Sequence, residues 1–432
     1  MSWVEIYFKE RHEGASMIQE KILEILQKSK LTINKTLQKN LIDIFFWMIV
    51  VAIMLKPESF EYLGWIKLDK ALDLCKIIVV SGSVIAYFFS DKKHNIVIFA
   101  VAHKLLAVIV TAMLNGDIKM ALIFALNAFF FTAIVYWGCD NKNIICALYY
   151  VLTIFLIVNF ISIILYPSGM YRTQEIGWEK NWFLGWKTIL PLYIIPESAL
   201  AFLFYHNTRK KRHIIIFLLS VSQPFMEGSA GAVISAIVLL TGFLVSILNI
   251  AVARYFFNIC SIFVGYTLAS YLLVIVNITE KMGKSLFVLF GKDGTLTSRT
   301  TVLWPINLQA FLTRPLFGYG YLKQENFINI LGGHRAHNIF LGILISSGTI
   351  GLIVFIAFIL YLHKGTKKYM GTRAYGFCAS CILALFTAGL IEAYDNIGVA
   401  GIIFVMIYFL PLLFENDGNE VRRNKSDPIK MQ

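Results

Sequence analysis

Three groups of residues have the types and spacing to do chemistry, and all fall between the ninth and tenth apolar runs of the chain. Ser298-Arg299 comes first, with Trp304 shortly after. Arg314-Pro315-Leu316-Phe317-Gly318-Tyr319-Gly320 follows, and His334-Arg335-Ala336-His337-Asn338 closes the stretch. Arginine is always charged and grips phosphate oxygens in bidentate fashion, so Arg299 above all suits a group that gathers negative charge as it reacts. Histidine titrates near neutral pH and can take a proton from a hydroxyl, which makes His337 the natural base. Asn338 beside it can cap the helix that follows. Pro315, Gly318 and Gly320 read as turn-formers that fold the loop tightly under Trp304. His334 and His337 stand three apart, but no carboxylate or cysteine lies close in sequence to complete a shell, so no metal is expected.

The elements that must position these residues are membrane spans. The 432 residues are 58% hydrophobic, above the roughly 45–50% of soluble domains. The excess sits in runs of about 17–25 residues, long enough as helices to cross about 30 Å of hydrocarbon. The runs predict spans at 41–56, 74–90, 95–114, 118–137, 144–166, 186–206, 213–223, 228–248, 254–277, 338–362, 374–391 and 397–414. The seventh is too short to cross unaided. It is expected to meet a break at Gln223-Pro224 and to be completed by irregular backbone buried in protein. The fold class is all-α, a polytopic membrane helix bundle with about a dozen spans and one large outward loop.

The net charge of +13 does not form a continuous stripe, so no nucleic-acid partner is expected. Arg209-Lys210-Lys211-Arg212 and the basic residues of 363–373 alternate with the apolar runs as the positive-inside rule requires, which puts both termini in the cytoplasm. The expected organisation is a cytoplasmic arm at 1–40, spans over 41–277 with an outer loop at 167–185, an extracytoplasmic loop at 278–337, spans over 338–414 and a cytoplasmic tail at 415–432. In the arm, Ile18, Ile22, Ile25 and Leu26 recur at helical spacing, as in an amphipathic helix lying on the bilayer. The arm lacks the pattern of a cleavable signal peptide. The long loop, at about sixty residues, exceeds what a connection needs. In the smaller outer loop Trp178, Trp182 and Trp186 follow i, i+4, i+8 spacing, the pattern of a helix in the interfacial aromatic belt or of a sugar-stacking face. Glu392, Tyr394 and Asp395 make a short outer turn able to meet the arginines of the long loop. His103-Lys104 is the deepest intramembrane charge and a candidate to line a cavity. The six cysteines lie in or beside apolar runs and predict no disulfide; Cys378 and Cys381 spell CxxC inside a span.

From Ser298 to Gly351 the order of motifs carries a resemblance. After Arg314–Gly320 come His337-Asn338-Ile339-Phe340-Leu341 and Ser347-Gly348-Thr349-Ile350-Gly351. This resembles the signature of the O-antigen polymerase and ligase family, which includes Wzy-type capsular and exopolysaccharide polymerases. The resemblance implies a helical membrane fold of the GT-C kind and cofactor-free, metal-independent glycosyl transfer at the outer face of the bacterial cytoplasmic membrane. The donor would be a glycan on undecaprenyl diphosphate. The acceptor would be the hydroxyl of another lipid-linked repeat unit in a polymerase, or a different acceptor in a ligase. It further implies an arginine on the diphosphate and a histidine near the acceptor, here Arg299 and His337, with a flippase and a chain-length regulator as partners. Many family members carry a Ser-Arg-Gly-like element whose nearest match here, Gly228-Ser229-Ala230-Gly231, has no arginine. Arg172, Lys180, Arg314 and Arg335, with His334 and Trp304 near them, are the candidates to complete the substrate site. Glu227, just before the gap, is a candidate to orient a cation or act on the acceptor. A flippase or another twelve-span carrier is the competing class; the lack of an internal repeat and the long outer loop weigh against it.

Overall fold

The computed structural model describes residues 38–90, 94–173, 180–248, 257–278, 299–333, 335–392, 394 and 399–414. The amphipathic arm before residue 38, Trp178, His334, Asp395 and the tail from 415 lie outside them. With no water in hydrocarbon to satisfy the main chain, apolar runs close their own hydrogen bonds as helices. The first is α1 (38–54). Then come α2 (Ile66–Phe89), α3 (Asn95–Met113), α4 (Ile118–Asp140), α5 (Lys142–Leu165), α6 (Pro191–Thr208), α7 (Arg212–Glu227), α8 (Ala230–Ile247) and α9 (Ile259–Ser270). Two short helices, α10 (Trp304–Thr313) and α11 (Gln324–Leu331), precede α12 (Ile339–Thr366), α13 (Arg373–Gly389) and α14 (Ala400–Phe414). Among the described residues each of the twelve predicted spans has its helix. Six of them, α2, α3, α4, α5, α8 and α12, are long and apolar enough to cross a bilayer unaided. The chain is an all-α, multi-pass membrane protein.

The centre is held by close approach. Ser235 of α8 donates to the Ala384 carbonyl of α13 at 2.8 Å, and a Cβ at Gly242 would run into Ser380, the small-residue contact that lets membrane helices meet. Stacked rings surround it, Phe217 on Phe243 at 4.4 Å and Phe202 on Phe377 at 4.5 Å. All six cysteines are free, with Cys378 and Cys381 buried in α13.

Two expectations are corrected. The seventh helix does not break at Gln223-Pro224: α7 runs through Pro224 to Glu227 and stops at Gly228, whose φ of 68° is left-handed. The buried Gln223 amide, donating to Leu156 of α5 at 3.1 Å, braces it there. The tryptophans at 182 and 186 are not on a helix. They sit on opposite strands of a two-stranded hairpin, β1 (Asn181–Trp182) and β2 (Gly185–Trp186), and Trp182 is 1% exposed. Its indole donates to the Tyr166 carbonyl at 2.8 Å, so it plugs the end of α5 instead of facing lipid or sugar.

Gly318 and Gly320 do turn the loop, both left-handed at φ 69° and 65°. They lock it into α12, which is broken at Gly348 (φ 65°, ψ −166°). Tyr319 and Gly320 donate to the carbonyls of Ile345 and Ser346 (2.7 and 3.0 Å), while Thr349 and Ile350 donate to those of Pro315 and Leu316 (2.8 and 3.2 Å). The motif segment thus replaces the main-chain bonds that the kink removes. A Cβ at Gly318 would collide with the Ile345 carbonyl, and one at Gly348 with that of Leu316. Beyond the interlock, Tyr321 receives Asp117 N–H on its carbonyl (2.7 Å) and donates to Thr111 Oγ1 (2.8 Å), docking the loop on the α3–α4 turn.

Candidate active site

One carboxylate gathers the two residues singled out first. Glu392, in the turn after α13, accepts from the Arg299 guanidinium on Oε1 at 3.0 Å. Its other oxygen, Oε2, lies 3.2 Å from His337 Nδ1. Arg299 and His337 are thereby brought together, and the turn containing Glu392 and Tyr394 does meet the long loop. The arginine and glutamate side chains are 13% and 11% exposed, and the imidazole is 31% exposed. The pair is shielded enough for its charges to matter, and the histidine ring remains open on one side.

Three helix ends converge to hold this arrangement. Asn338 caps α12 by accepting from Leu341 N–H at 3.2 Å, and its amide donates to Ser270 at the end of α9 and to the Leu390 carbonyl past α13, both at 3.3 Å. His337 itself is in the left-handed region, φ 47°, a conformation that costs a non-glycine residue about 1–3 kcal/mol and clusters at functional sites. Arg299 opens a π-helical turn (Arg299–Leu303) that runs into α10. A second π turn (Tyr271–Ile275) extends α9. Trp304 is 1% exposed and packs on Ala336 and Leu341. Its covered indole fixes the α10 end and presents no face to a sugar.

Other predicted residues fall elsewhere. Arg314 is exposed, 5.2 Å over the Tyr319 ring. Arg335 is exposed, 6.0 Å from the Phe124 ring. Arg172 and Lys180 are exposed beside the hairpin. Among the described contacts none of these four joins the Glu392 cluster. Glu227 is buried and accepts from Asn159 at 3.2 Å, in a knot where Asn159 also donates to Gln223 and accepts from Leu184. The arginine-less element does stand at the site: a Cβ on Gly231 would lie 3.9 Å from Glu392 Cγ.

Residues 214–356, about a third of the chain, match the family model described as O-Antigen ligase. That span contains Arg299 and His337. Over that stretch the chain resembles the O-antigen ligase family. It is also similar to the exopolysaccharide production protein ExoQ of Rhizobium meliloti (strain 1021), at 34% identity over 92 residues. The match covers 18% of this chain and 21% of that relative, so the chain spans about a fifth of the length of the curated relative it matches. No solved structure matches it.

Three surroundings of the triad matter. Lys187, which the sequence reading passed over, lies with its ammonium 4.8 Å over the Trp186 ring of the hairpin. The available signal was its place directly after Trp186 in the outer loop. Tyr394 is buried and donates to the Thr188 carbonyl, tying the Glu392 turn to the segment behind the hairpin. Burial pushes its phenol well up, so it stays a donor. Finally, an apolar groove of about 300 Å³ runs between α9 and α13 past Ile262, Gly265, Ala269 and Phe386, and ends at Leu390, two residues before Glu392. The expected cavity at His103-Lys104 is present but small, about 30 Å³, and closed in by Phe355 and Phe404.

Proposed function

We propose that this chain polymerises polysaccharide repeat units. It transfers glycan from undecaprenyl diphosphate to the sugar hydroxyl of another lipid-linked unit, at the outer face of the bacterial cytoplasmic membrane. The product would be a capsule, exopolysaccharide or O-antigen chain, and the enzyme a membrane glycosyltransferase of the GT-C kind. The observation that carries this reading is a single carboxylate, Glu392, held between Arg299 and His337.

In this reading His337 takes the acceptor hydroxyl proton on Nε2, the nitrogen turned away from Glu392, as that oxygen bonds to the anomeric carbon of the donor. The bond from that carbon to the diphosphate breaks, and undecaprenyl diphosphate departs with the electron pair. Arg299 balances the charge collecting on its phosphate oxygens. Glu392 fixes the imidazole tautomer and stabilises the imidazolium as it forms, a role that needs the contact to Nδ1. The groove lined by Leu390 suits the isoprenoid tail, because it is almost wholly apolar and Leu390 stands two residues before Glu392. Lys187 is the cation we favour for the place of the missing arginine, ahead of Arg172, Lys180, Arg314 and Arg335. A flippase delivering the donor and a chain-length regulator are the partners such an enzyme uses.

The ligase reading keeps the donor half and changes the acceptor. The description of the matching family favours it, and the similarity to a protein of exopolysaccharide production is compatible with either. Purified protein given a synthetic undecaprenyl-diphosphate repeat unit decides the matter. A ladder of products is expected. Donor consumed without a ladder, and only when a different acceptor is added, indicates a ligase; no consumption of donor overturns both.

A further inference from the structure

A second recess, with no lining residue in common with the apolar groove, is bordered by Arg335 and Ala336 just before His337. It is a groove of about 210 Å³ between the α4 start, the segment after Gly320, α10, α11 and the first turns of α12, and it includes Asp117, Asn307, Tyr321, Gln324, Phe327 and Arg335 in its lining. Its lining differs in kind from that of the groove at Leu390. Polar and apolar surface are nearly balanced, with planar amides, a carboxylate, a guanidinium and aromatic rings facing one space. Aliphatic chains gain nothing from such a wall. Sugars do, since a pyranose offers a C–H face to aromatic rings and a rim of hydroxyls to planar polar groups.

Two observations show that the groove is built for polar contact. Asn307 is fully buried, and its amide nitrogen donates back to the Leu303 carbonyl at 2.8 Å. Its Oδ1 is buried without a hydrogen-bond partner among the described residues. A buried acceptor left unmatched is a standing cost, and Asn307 is one of the residues lining the groove. The aromatic side is held in place as well: the Phe124 and Tyr321 rings pack 5.2 Å apart, and the Arg335 guanidinium lies 6.0 Å from Phe124. The groove also reaches the reaction centre through the chain itself, because Arg335 and Ala336 line it and His337 comes next.

Resting on the polymerase or ligase reading of the triad, we infer that this groove is a saccharide subsite that holds the acceptor glycan. Its hydroxyl-bearing ring is received by Asn307, Gln324 and Asp117 and seated on Tyr321, so that the chain runs toward His337. The groove recognises sugar rather than lipid or diphosphate, and the lipid-free oligosaccharide binds there by itself.

The test uses the full chain in nanodiscs and, as probe, oligosaccharide released by mild acid from the polymer the host cell makes. Saturation-transfer NMR is run on the wild type, Gln324→Ala, Tyr321→Ala, Tyr321→Phe and Arg299→Ala. Gln324 is exposed, so its truncation leaves the fold intact, and Tyr321→Phe keeps the ring. The expected result is a signal in the wild type, Tyr321→Phe and Arg299→Ala that falls about tenfold or more in Gln324→Ala and Tyr321→Ala. No signal in the wild type, equal signals in all variants, or a loss confined to Arg299→Ala overturns the subsite. The donor reading fails separately, by undiminished polymer from Arg299→Ala.

Discussion

The family signature divides into two regions that the fold treats differently. Around Glu392, side chains meet side chains: Arg299, His337 and the carboxylate are partly open, and the histidine backbone is held left-handed. Around Gly348, backbone meets backbone: four main-chain hydrogen bonds join Pro315–Gly320 to Ile345–Ile350, and glycines are required because carbonyls occupy the space a Cβ would need. The first region leaves charged side chains partly open, the imidazole at 31% exposure. The second closes main-chain groups on one another. Residue type alone does not separate them, since Arg314 and Arg299 look alike in the sequence, and only Arg299 reaches a carboxylate among the described contacts.

The comparison breaks most easily at the triad. Arg299→Ala and His337→Ala are each expected to cut polymer formation by about 10²-fold or more, the usual loss on removing a charge-stabilising donor or a general base. Protein in the membrane should stay level, and ladders on gels report the loss. Glu392→Ala should cost as much as either, because it releases both partners. The Arg299→Ala/Glu392→Ala double variant should then be hardly worse than the singles; a full multiplicative loss would mean that the three do not act together.

At the interlock the order of effects reverses. Gly348→Ala and Gly318→Ala should lower the melting temperature and the amount of folded protein, since a left-handed non-glycine residue costs about 1–3 kcal/mol before any collision is counted. Turnover per folded molecule should persist. Detergent-phase melts beside activity normalised to folded protein measure the two separately, and a variant that melts normally but cannot transfer would assign chemistry to the interlock. Arg314→Ala belongs to this region and should do little: an exposed cation over a ring contributes about 0.5–1 kcal/mol, which a melt can detect and an activity assay hardly registers.

The smallest effect lies away from both regions. Glu58, in the turn between α1 and α2, is half-buried, and burial raises its carboxyl from 4.5 to about 7 despite a hydrogen bond from the Trp186 backbone. Between those values the unfolded chain has released a proton that the folded chain keeps. Stability therefore falls as pH rises through that window and levels off above it. Glu58→Gln should flatten the slope in melts taken from pH 4.5 to pH 8, whereas an unchanged slope would place its origin elsewhere.

Much of this was legible in the chain because hydrocarbon thickness imposes a length on every apolar run. That constraint acts locally, so twelve runs became twelve helices with small errors at their ends. The hairpin escaped the same logic: Trp182 and Trp186 keep a helical interval, but Gly185 at φ 131° between them turns the chain back. The break of α12 was hidden since Gly348 sits within an apolar run and its replacement hydrogen bonds come from residues about thirty positions away. At the site, Arg299 and His337 could be chosen by chemistry. Glu392 could be named only as able to meet them, because no local pattern ties it to an arginine 93 positions earlier. Asn307, Gln324 and Asp117 gave no signal at all. Each is an ordinary polar residue until the fold sets it on one wall.

The clamp at the α12 kink carries a consequence for how such proteins diversify. A seam sewn from peptide groups is indifferent to which side chains hang beyond it, provided the glycines persist. Residues between Gly320 and Arg335 can therefore drift, lengthen or be exchanged without unseating the histidine that follows. The backbone seam can in this way hold Arg335 to Asn338 in place whatever side chains the preceding segment carries.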